Sequence, residues 1–264
     1  MLRDERLDML NNYLRTYIFM GLITLVSGLT LSYSYSSLKK LSEENIRFDI
    51  QRNIIKSVGI DISNMSKAQI ASNYSSNINE IILNENLIEI NNVSFEQLIG
   101  YEDKKSGATY FIDKIDKIKF SAIDDKENDK TVKKYLPLFY HSRKEVYVFP
   151  ISGKGLWSTL FGFLALDKDK NTVKGITFYK HKETPGLGGE VDKKWFQENF
   201  IGKKIFNSNN ELVSVKVMKG TTSILPKEKQ NHAVDGITGA TITSNGLTSF
   251  LLRDLTRYER YLRK

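Results

Sequence analysis

A long uncharged segment near the N-terminus constrains this chain more than any other feature. From Thr16 to Leu38 the sequence runs for 23 residues without a charged side chain. As an α-helix this segment is about 35 Å long, enough to cross a hydrocarbon core of roughly 30 Å. Tyr13 and Tyr17 lie at one end and Tyr33 and Tyr35 at the other, where interfacial aromatic residues are typical. The segment predicts a single transmembrane helix.

A cleaved signal peptide and a buried core helix are the alternatives for this segment. A signal peptide has a shorter apolar region and a small-residue cleavage site, whereas here Leu38-Lys39-Lys40 follows. We therefore expect residues 1–15 to form an N-terminal tail, 16–38 an uncleaved transmembrane helix and 39–264 an extramembrane domain. Lysine and arginine occur on both sides of the span, so the charge pattern does not orient it.

The extramembrane part has the patterns of a mixed domain. Hydrophobic residues make up 40% and charged residues 27% of the chain, as in globular proteins. Residues 39–57 continue the helical pattern, and strands are predicted at 109–120, 146–150, 161–166, 173–179 and 212–218. The last helix is the clearest, because apolar residues recur at helical spacing at Leu247, Leu251, Leu255, Tyr258 and Leu262. One α+β domain behind the anchor is the expected fold class.

Several kinds of chemistry find no support in the sequence. The chain has no cysteine, which excludes disulfides, iron–sulfur clusters and thiolate zinc sites. Its three histidines are too far apart to form a recognisable metal motif, so no metal site is expected. No Ser–His–Asp pattern or dinucleotide motif is evident, and no catalytic residue is assigned. The net charge of +8 is spread among acidic residues, as in segment 113–117, so nucleic-acid binding is not expected.

The segment from Asp235 to Ser244, DGITGATITS, is the most informative for chemistry. Its small residues form a predicted turn that leads into the last helix and lets the backbone approach a ligand closely. Free N–H groups and the helix dipole favour an anion, typically phosphate, at such a point. The alternative is a capped turn that needs no ligand, with Thr243 or Ser244 as the N-cap.

The same segment resembles the Asp-x-x-Ser/Thr-Gly-Ala-Thr acceptor motif of covalently flavinylated proteins. In that motif a flavin transferase moves FMN from FAD onto the final threonine hydroxyl and forms a phosphoester. The residues that match are Asp235, Thr238, Gly239, Ala240 and Thr241. The resemblance implies that Thr241 carries covalent FMN.

Two further segments resemble a particular family. Residues 183–190, ETPGLGGE, are similar to a loop of FMN-binding subunits in the Na⁺-translocating NADH:quinone reductase and in the Rnf ferredoxin–NAD reductase. Residues 150–158, PISGKGLWS, resemble the C-subunit family of the first complex specifically. With the single span, the resemblance covers nearly the whole chain, although residues 60–130 carry little that matches.

The resemblance also implies a cofactor pocket. Its expected members are Gly155, Leu156, Trp157, Glu183, Thr184, Leu187 and Lys219. A lysine there would stabilise an anionic reduced flavin by Coulomb attraction. Three of these residues have plainer readings: Trp157 as a core aromatic, Glu183 as a loop cap and Lys219 as a solvated strand end.

The resemblance implies a subunit that relays electrons from NADH towards quinone, coupled to Na⁺ export. Such a subunit belongs to an enzyme of the translocase class and is not catalytically complete alone. Its implied partners are the other membrane and soluble subunits, the membrane and the flavin transferase, with the domain on the periplasmic side of the bacterial inner membrane. Three alternatives stay open: a G subunit of an Rnf-type complex, an anchored flavin- or phosphate-binding domain without redox transfer, and a scaffold subunit.

Overall fold

The computed structural model describes the backbone of residues 2–264 and the side chains of residues 13–264. Within these residues the α-helices, here α1 to α6, are Leu2–Ser57, Lys67–Asn77, Lys117–Ser121, Lys194–Glu198, Lys227–Gln230 and Thr241–Leu262. The β-strands, here β1 to β9, are Ile78–Leu83, Leu98–Glu102, Thr109–Asp113, Leu136–His141, Val146–Lys154, Thr159–Leu166, Val173–Lys180, Lys216–Val217 and Ala233–Val234. The chain divides into two units, one up to Phe48 and one from Asp49 onward.

The first unit is the N-terminal part of α1. Between Tyr13 and Ser57 this helix is long and apolar enough to cross a membrane, and its most apolar window, of mean hydropathy 1.5, is not buried at all. An apolar surface on all sides suits lipid as its surroundings. The predicted N-terminal transmembrane helix is therefore confirmed, although α1 shows no break at residue 38. The predicted tail is residues 1–15, and the side chains of its first twelve residues lie outside the described part of the structure.

The second unit is built on a five-stranded antiparallel sheet of order β1-β4-β5-β6-β7. Helix α6 covers one face, and its predicted apolar stripe packs into one core with Phe149 and Leu164 of the sheet. All five predicted stripe residues are buried. A sheet with helices packed on it and antiparallel pairing confirms the predicted α+β class.

The opposite face of the sheet holds the end of α1. Ile176 of β7 packs in the core beneath α6, so its neighbours on the strand face the other way. There the Thr177 hydroxyl donates to the carbonyl of Asn53 at 3.2 Å. Ile54 and Ile55 are fully buried. The last turns of α1 therefore belong to the folded domain.

A smaller lobe of β2, β3 and α3, residues 98–121, is attached to the edge of this fold and is called the hairpin lobe below. It has its own apolar cluster, in which Ala108, Tyr110, Ile112 and Phe120 of the lobe pack with Val132. Thr109 joins it to the sheet, because its N–H donates to the Ser152 hydroxyl at 2.9 Å and its carbonyl accepts from Arg257 at 2.9 Å.

Two predicted strands are much shorter than the sequence pattern indicates. In segment 109–120 the strand ends at Asp113, whose carboxylate accepts from the N–H of Ile115 at 3.0 Å and starts a 3₁₀ turn. In segment 212–218, Ser214 has φ of +59°, and only the pair Lys216–Val217 remains extended enough to pair. A capping hydrogen bond at Asp113 and a left-handed backbone at Ser214 thus override the alternation of side chains.

Candidate functional site

Two loops meet beside the N-terminus of α6 because two short strands pair in parallel. β8 and β9 align Val217 with Val234, so the segments that follow them leave from the same end of the pair. The pairing continues into the loops, where the N–H of Gly236 donates to the carbonyl of Gly220 at 2.8 Å. The loops that follow the two strands therefore lie side by side.

The first residues of the DGITGAT segment hold these loops together. The Asp235 carboxylate accepts from the backbone N–H of Thr222 at 2.7 Å and from its hydroxyl at 2.8 Å. These hydrogen bonds, the backbone one first, lower the pKa of Asp235, which keeps the carboxylate ionised at neutral pH. A Cβ at Gly236 would collide with the carbonyl oxygen of Met218. The Asp-Gly pair thus sets the spacing of the loops.

A tight bend then delivers the chain to α6. Gly239 has φ of +74°, a conformation that glycine adopts at little cost. Ala240 is the N-cap and makes no side-chain capping bond, so the N–H groups of the first turn have no partner from a cap. The expectation of an N-cap at Thr243 or Ser244 is wrong, because α6 begins at Thr241 and both residues are buried within its first turn. Thr241 itself is exposed.

A cavity of about 250 Å³ lies where the two loops and α6 meet. It is lined by Met218, Lys219, Gly220, Gly236, Ile237, Thr238, Gly239, Thr241, Ser244 and Asn245. Lys219 brings a positive charge, and the helix N-terminus adds the positive end of its dipole. Charge, small residues and free N–H groups together suit an anion such as a phosphate group.

Ser244 gives the cavity an unmet hydrogen-bonding demand. Its side chain is 4% exposed, and its hydroxyl has no hydrogen-bond partner. It lies one turn after Thr241, on the same side of the helix. A buried polar group without a partner costs about 1–3 kcal/mol and is rare in native proteins. An oxygen atom of a ligand in the cavity would supply the missing partner.

On another side of the same helix terminus, Glu183 binds two segments together. Its carboxylate accepts from the hydroxyl of Thr243 at 2.6 Å. It also accepts from the N–H groups of Leu156 (3.1 Å), Trp157 (2.9 Å) and Ser158 (3.0 Å). A single side chain therefore fixes the loop after β5 to the first turn of α6. We call Glu183 and these four donors the Glu183 clasp.

The clasp holds an ionised carboxylate. Burial raises the pKa of Glu183, but the hydrogen bonds from Thr243 and the loop amides outweigh it, so the pKa lies below its ordinary value. Two glycines make room for it: a Cβ at either Gly155 or Gly188 would lie 2.7 Å from a carboxylate oxygen of Glu183. One glycine of each predicted motif, Gly155 and Gly188, is therefore required by the clasp.

Exposed apolar side chains surround this helix terminus. Leu187 reaches the bend of the DGITGAT segment, since its Cδ2 lies 2.7 Å from the position of a Cβ on Gly239. Leu187 is 43% exposed, Leu156 47%, Ile242 58% and Trp157 69%. Trp157 is thus not a core aromatic. Apolar surface next to a polar cavity suits a ligand with one flat apolar part and one anionic part.

Comparison with known proteins agrees with this geometry. The family described as FMN-binding domain matches residues 155–253. The C subunit of the Na(+)-translocating NADH-quinone reductase from Pseudomonas aeruginosa is 32% identical, over 90% of this chain and 89% of its own length. This chain belongs to that C-subunit family. The corresponding protein of Haemophilus ducreyi is 30% identical, over 86% of this chain and 83% of its own length.

A solved structure from the same family supports both the fold and the family assignment. The crystal structure of the C subunit from Parabacteroides distasonis shares 28% identity and a TM-score of 0.65, covering 86% of this chain and 98% of that one. Membership in the C-subunit family confirms the resemblance drawn from residues 150–158 and 183–190. With the helix at its N-terminus, the chain is a membrane-anchored subunit of a multi-subunit enzyme.

The structure sorts the predicted site residues of this C-subunit family member into two groups. Lys219, Thr238, Gly239 and Thr241 line the cavity, with Ala240 buried behind them. The second group does not line the cavity. Its members form the Glu183 clasp or lie next to it in the chain: Gly155, Leu156, Trp157, Glu183, Thr184 and Leu187. Thr184 closes that loop through its carbonyl, which accepts from the N–H groups of Leu187 (3.1 Å) and Gly189 (2.9 Å).

Sequence reasoning missed five of the residues that line the cavity. These are Met218, Gly220, Gly236, Ile237 and Asn245. Asn245 could have been found, because four residues after Thr241 on a helix is the same face. The loop around Gly220 could not have been found, since only the pairing of β8 with β9 brings it to the DGITGAT segment. Among the described residues, no group of three or more His, Asp or Glu side chains could hold a metal ion.

Proposed function

We propose that this chain carries FMN as a phosphoester on Thr241 and relays electrons within a Na⁺-translocating NADH:quinone reductase. The observation that carries the proposal is the position of the Thr241 hydroxyl. It is exposed at the start of α6, beside a cavity that holds a buried hydroxyl without a partner. The FMN-binding family match over residues 155–253 and the names of the relatives support the cofactor and the complex.

The residues present fit a flavin phosphate. The cavity offers helix N–H groups, Lys219 and the unpartnered hydroxyl of Ser244 to the phosphate and the polar chain next to it. A volume of about 250 Å³ leaves little room for a three-ring system as well. The ring would find apolar surface on Leu156, Trp157 and Leu187, which are exposed outside the cavity.

In the proposed attachment an external enzyme transfers the FMN phosphoryl group of FAD to the hydroxyl of Thr241. The hydroxyl of Thr241 loses its proton and forms a P–O bond to the FMN phosphoryl group of FAD. The pyrophosphate bond of FAD breaks, and AMP leaves. We assign this reaction to a flavin transferase, as the resemblance of the DGITGAT segment to the acceptor motif implies.

Bound FMN supplies reversible electron transfer, and the chain's residues hold and tune it. Lys219 favours the anionic reduced form by Coulomb attraction. The exposed apolar side chains shield one part of the ring from water. The carboxylate of Glu183 is hydrogen-bonded within the protein. We therefore propose that Glu183 positions the Trp157 loop and α6 and does not contact the flavin.

The setting of this subunit is part of the proposal. Residues 16–38 would cross the inner membrane, with residues 1–15 as a tail on the cytoplasmic side and the domain from residue 39 on the periplasmic side. Electron passage through the assembled complex would be coupled to Na⁺ export. The names of the relatives support the sodium coupling. The apolar surface of α1 supports the span.

The linkage is tested by the intact mass of the full chain coexpressed with a flavin transferase. We expect a gain equal to FMN minus one water, and fluorescence that survives denaturing electrophoresis. Thr241→Ala should lose both. Thr256→Ala is the matched control, because Thr256 lies exposed on the same helix and away from the cavity. An unmodified wild-type peptide at residue 241 would overturn the linkage and favour a phosphate-binding domain without redox transfer.

The location of the domain is tested separately. The chain has no cysteine, so Asn209→Cys introduces a single thiol on an exposed loop of the domain. A membrane-impermeant maleimide added to intact spheroplasts should label it, whereas labelling only after lysis would place the domain in the cytoplasm. Copurification with the subunits of a Na⁺-translocating reductase, rather than those of an Rnf-type complex, tests the proposed partners.

A further inference from the structure

Two β-hairpins of the domain are joined at their ends beside the candidate site. In the hairpin lobe, Glu102 pairs with Thr109 at the end of β2 and β3. In the sheet, Lys154 pairs with Thr159 at the end of β5 and β6, and residues 155–158, the Trp157 loop, connect these two strands. The carboxylate of Glu102 accepts from the hydroxyl of Thr159 at 2.5 Å. The last residue pair of one hairpin therefore contacts the last pair of the other.

Glu102 reaches both strand ends that border the Trp157 loop. Its hydrogen bond is to Thr159, which is 5% exposed. Its second contact is with the ammonium group of Lys154 at 3.8 Å, where the two side chains are 42% and 38% exposed. An exposed ion pair contributes little, whereas a buried hydroxyl that donates to a carboxylate makes a strong, charge-assisted hydrogen bond. The bond to Thr159 therefore supplies most of the restraint on the loop.

The backbone of the hairpin lobe packs against the same strand end. Gly107, in the turn between β2 and β3, has φ of +69°, and a Cβ there would lie 2.7 Å from the backbone nitrogen of Lys154. The carbonyl of Ser106, in the same turn, accepts from the guanidinium of Arg253 in α6 at 3.2 Å. Because the turn is attached to β5 and α6, it gives Glu102 a fixed position from which to reach the loop.

We propose that Glu102 is a positioning residue for the Trp157 loop and, through it, for the flavin. Glu183 holds the middle of the loop through the N–H groups of residues 156–158. Glu102 fixes the strand end at Thr159, where the loop finishes. The two carboxylates together keep the exposed ring of Trp157 in one place beside α6. The step to the flavin rests on the proposed function, whereas the restraint on the loop does not.

Amide hydrogen exchange in the full chain without flavin tests the restraint directly. Glu102→Ala should speed exchange of the N–H groups of residues 156–158 several-fold, because the loop opens more often. Exchange in β7 should not change. Thr159→Val keeps the shape of the side chain without its hydroxyl and should act like Glu102→Ala. Glu102→Gln keeps an acceptor oxygen and should stay close to wild type. Glu127→Ala, an exposed carboxylate after the hairpin lobe, is the control.

Flavin emission in the chain coexpressed with a flavin transferase tests the second step. An indole beside an isoalloxazine ring quenches its emission by electron transfer. Release of Trp157 in Glu102→Ala should therefore raise the emission per bound FMN several-fold, and Trp157→Phe sets the upper limit. Intact mass counts the bound FMN. A wild-type chain without flavin would contradict the proposed cofactor and leave the exchange result standing by itself.

Four results would overturn the positioning role. Exchange at residues 156–158 that stays at the wild-type rate in Glu102→Ala would remove the restraint. A rise of equal size in β7 would show that Glu102 only stabilises the domain as a whole. Glu102→Gln behaving like Glu102→Ala would contradict the hydrogen bond to Thr159 as its basis. Unchanged emission per bound FMN in a chain whose loop has opened would separate the loop from the flavin.

Discussion

The two ends of α6 each border a cavity, and the larger one is the poorer candidate for a ligand site. The cavity at the C-terminal end measures about 500 Å³, twice the volume at the N-terminal end. It is lined by Tyr147, Lys168, Asp169, Lys170, Asn171, Phe206, Asn210, Leu262, Arg263 and Lys264. Four of its charged side chains, however, already have partners in the protein: Lys168, Asp169, Lys170 and Arg263.

Two cations at the C-terminal cavity, Lys170 and Arg263, each have several partners in the protein. Lys170 lies over the rings of Tyr147 (5.1 Å) and Tyr261 (4.6 Å). Arg263 lies over Phe206 (4.9 Å) and donates to the carbonyl of Asn210 at 2.8 Å. Cations at this end also complement the negative end of the helix dipole. At the other end the Glu183 carboxylate reaches the side chain of Thr243, but no acidic side chain lines the cavity beside Thr241. Polar groups without a partner in the protein, rather than cavity volume, indicate a ligand site.

Among the changes at the two ends of α6, removal of the Glu183 clasp should have the largest effect on stability and on flavin attachment. Glu183→Ala leaves three backbone N–H groups and a buried hydroxyl without their acceptor, which we expect to cost roughly 2–4 kcal/mol of unfolding free energy. Covalent flavin should fall to a small fraction of wild type, because the first turn of α6 is no longer fixed. Urea unfolding and intact mass measure the two effects. Glu198→Ala, an exposed carboxylate, is the control, and equal losses in both variants would contradict the clasp.

Acid should weaken the clasp in a defined window. The pKa of Glu183 is lower in the folded chain than its ordinary value, so its stabilisation is present above about pH 4.3. It is lost as the pH falls through the folded pKa. We expect Glu183→Gln to be less stable than wild type at pH 7 by about 1–2 kcal/mol and to converge with it below pH 4. A stability difference that stays constant with pH would show that the charge is irrelevant.

Ser244→Ala should act in opposite directions on the empty and the flavin-bearing chain. Without flavin, the variant removes a buried hydroxyl that has no partner, so stability should be unchanged or higher by up to about 1 kcal/mol. Flavin attachment should slow several-fold, because the ligand loses a hydrogen-bond partner. Ser249→Ala, exposed on the same helix, should change neither. A loss of stability in the flavin-free Ser244 variant would show that the hydroxyl has a protein partner.

Sequence patterns were most successful where one element decides the outcome. The apolar stripe of α6 depends only on helical spacing, and all five of its predicted residues are buried. The turn predicted in the DGITGAT segment is present, and its Gly239 takes the left-handed backbone conformation that glycine adopts at little cost. Such features are local, so a short stretch of residues is enough to predict them.

Contacts between distant segments were the part that sequence could not supply. Glu183 and Thr243 meet across 60 residues, and nothing in either motif indicates that the carboxylate points at the helix rather than at a ligand. The cavity needs the parallel pairing of β8 with β9, two strands of two residues each that are too short for a pattern. Alternation also misled at residues 109–120, where one capping aspartate ends the strand.

The smallest expected effect comes from a substitution at the C-terminal end of α6. It tests whether the cavity at that end is independent of the flavin site at the other. Lys170→Ala removes two cation–π contacts on a partly exposed surface, which should cost below about 1 kcal/mol of unfolding free energy. Flavin attachment at Thr241 should not change, because 22 residues of helix, about 33 Å, separate the two ends. The check is the rate of FMN incorporation, measured beside thermal unfolding in the same preparation. If that rate fell several-fold in Lys170→Ala while stability stayed nearly constant, the larger cavity would be coupled to the cofactor, and its paired cations could no longer be regarded as structural.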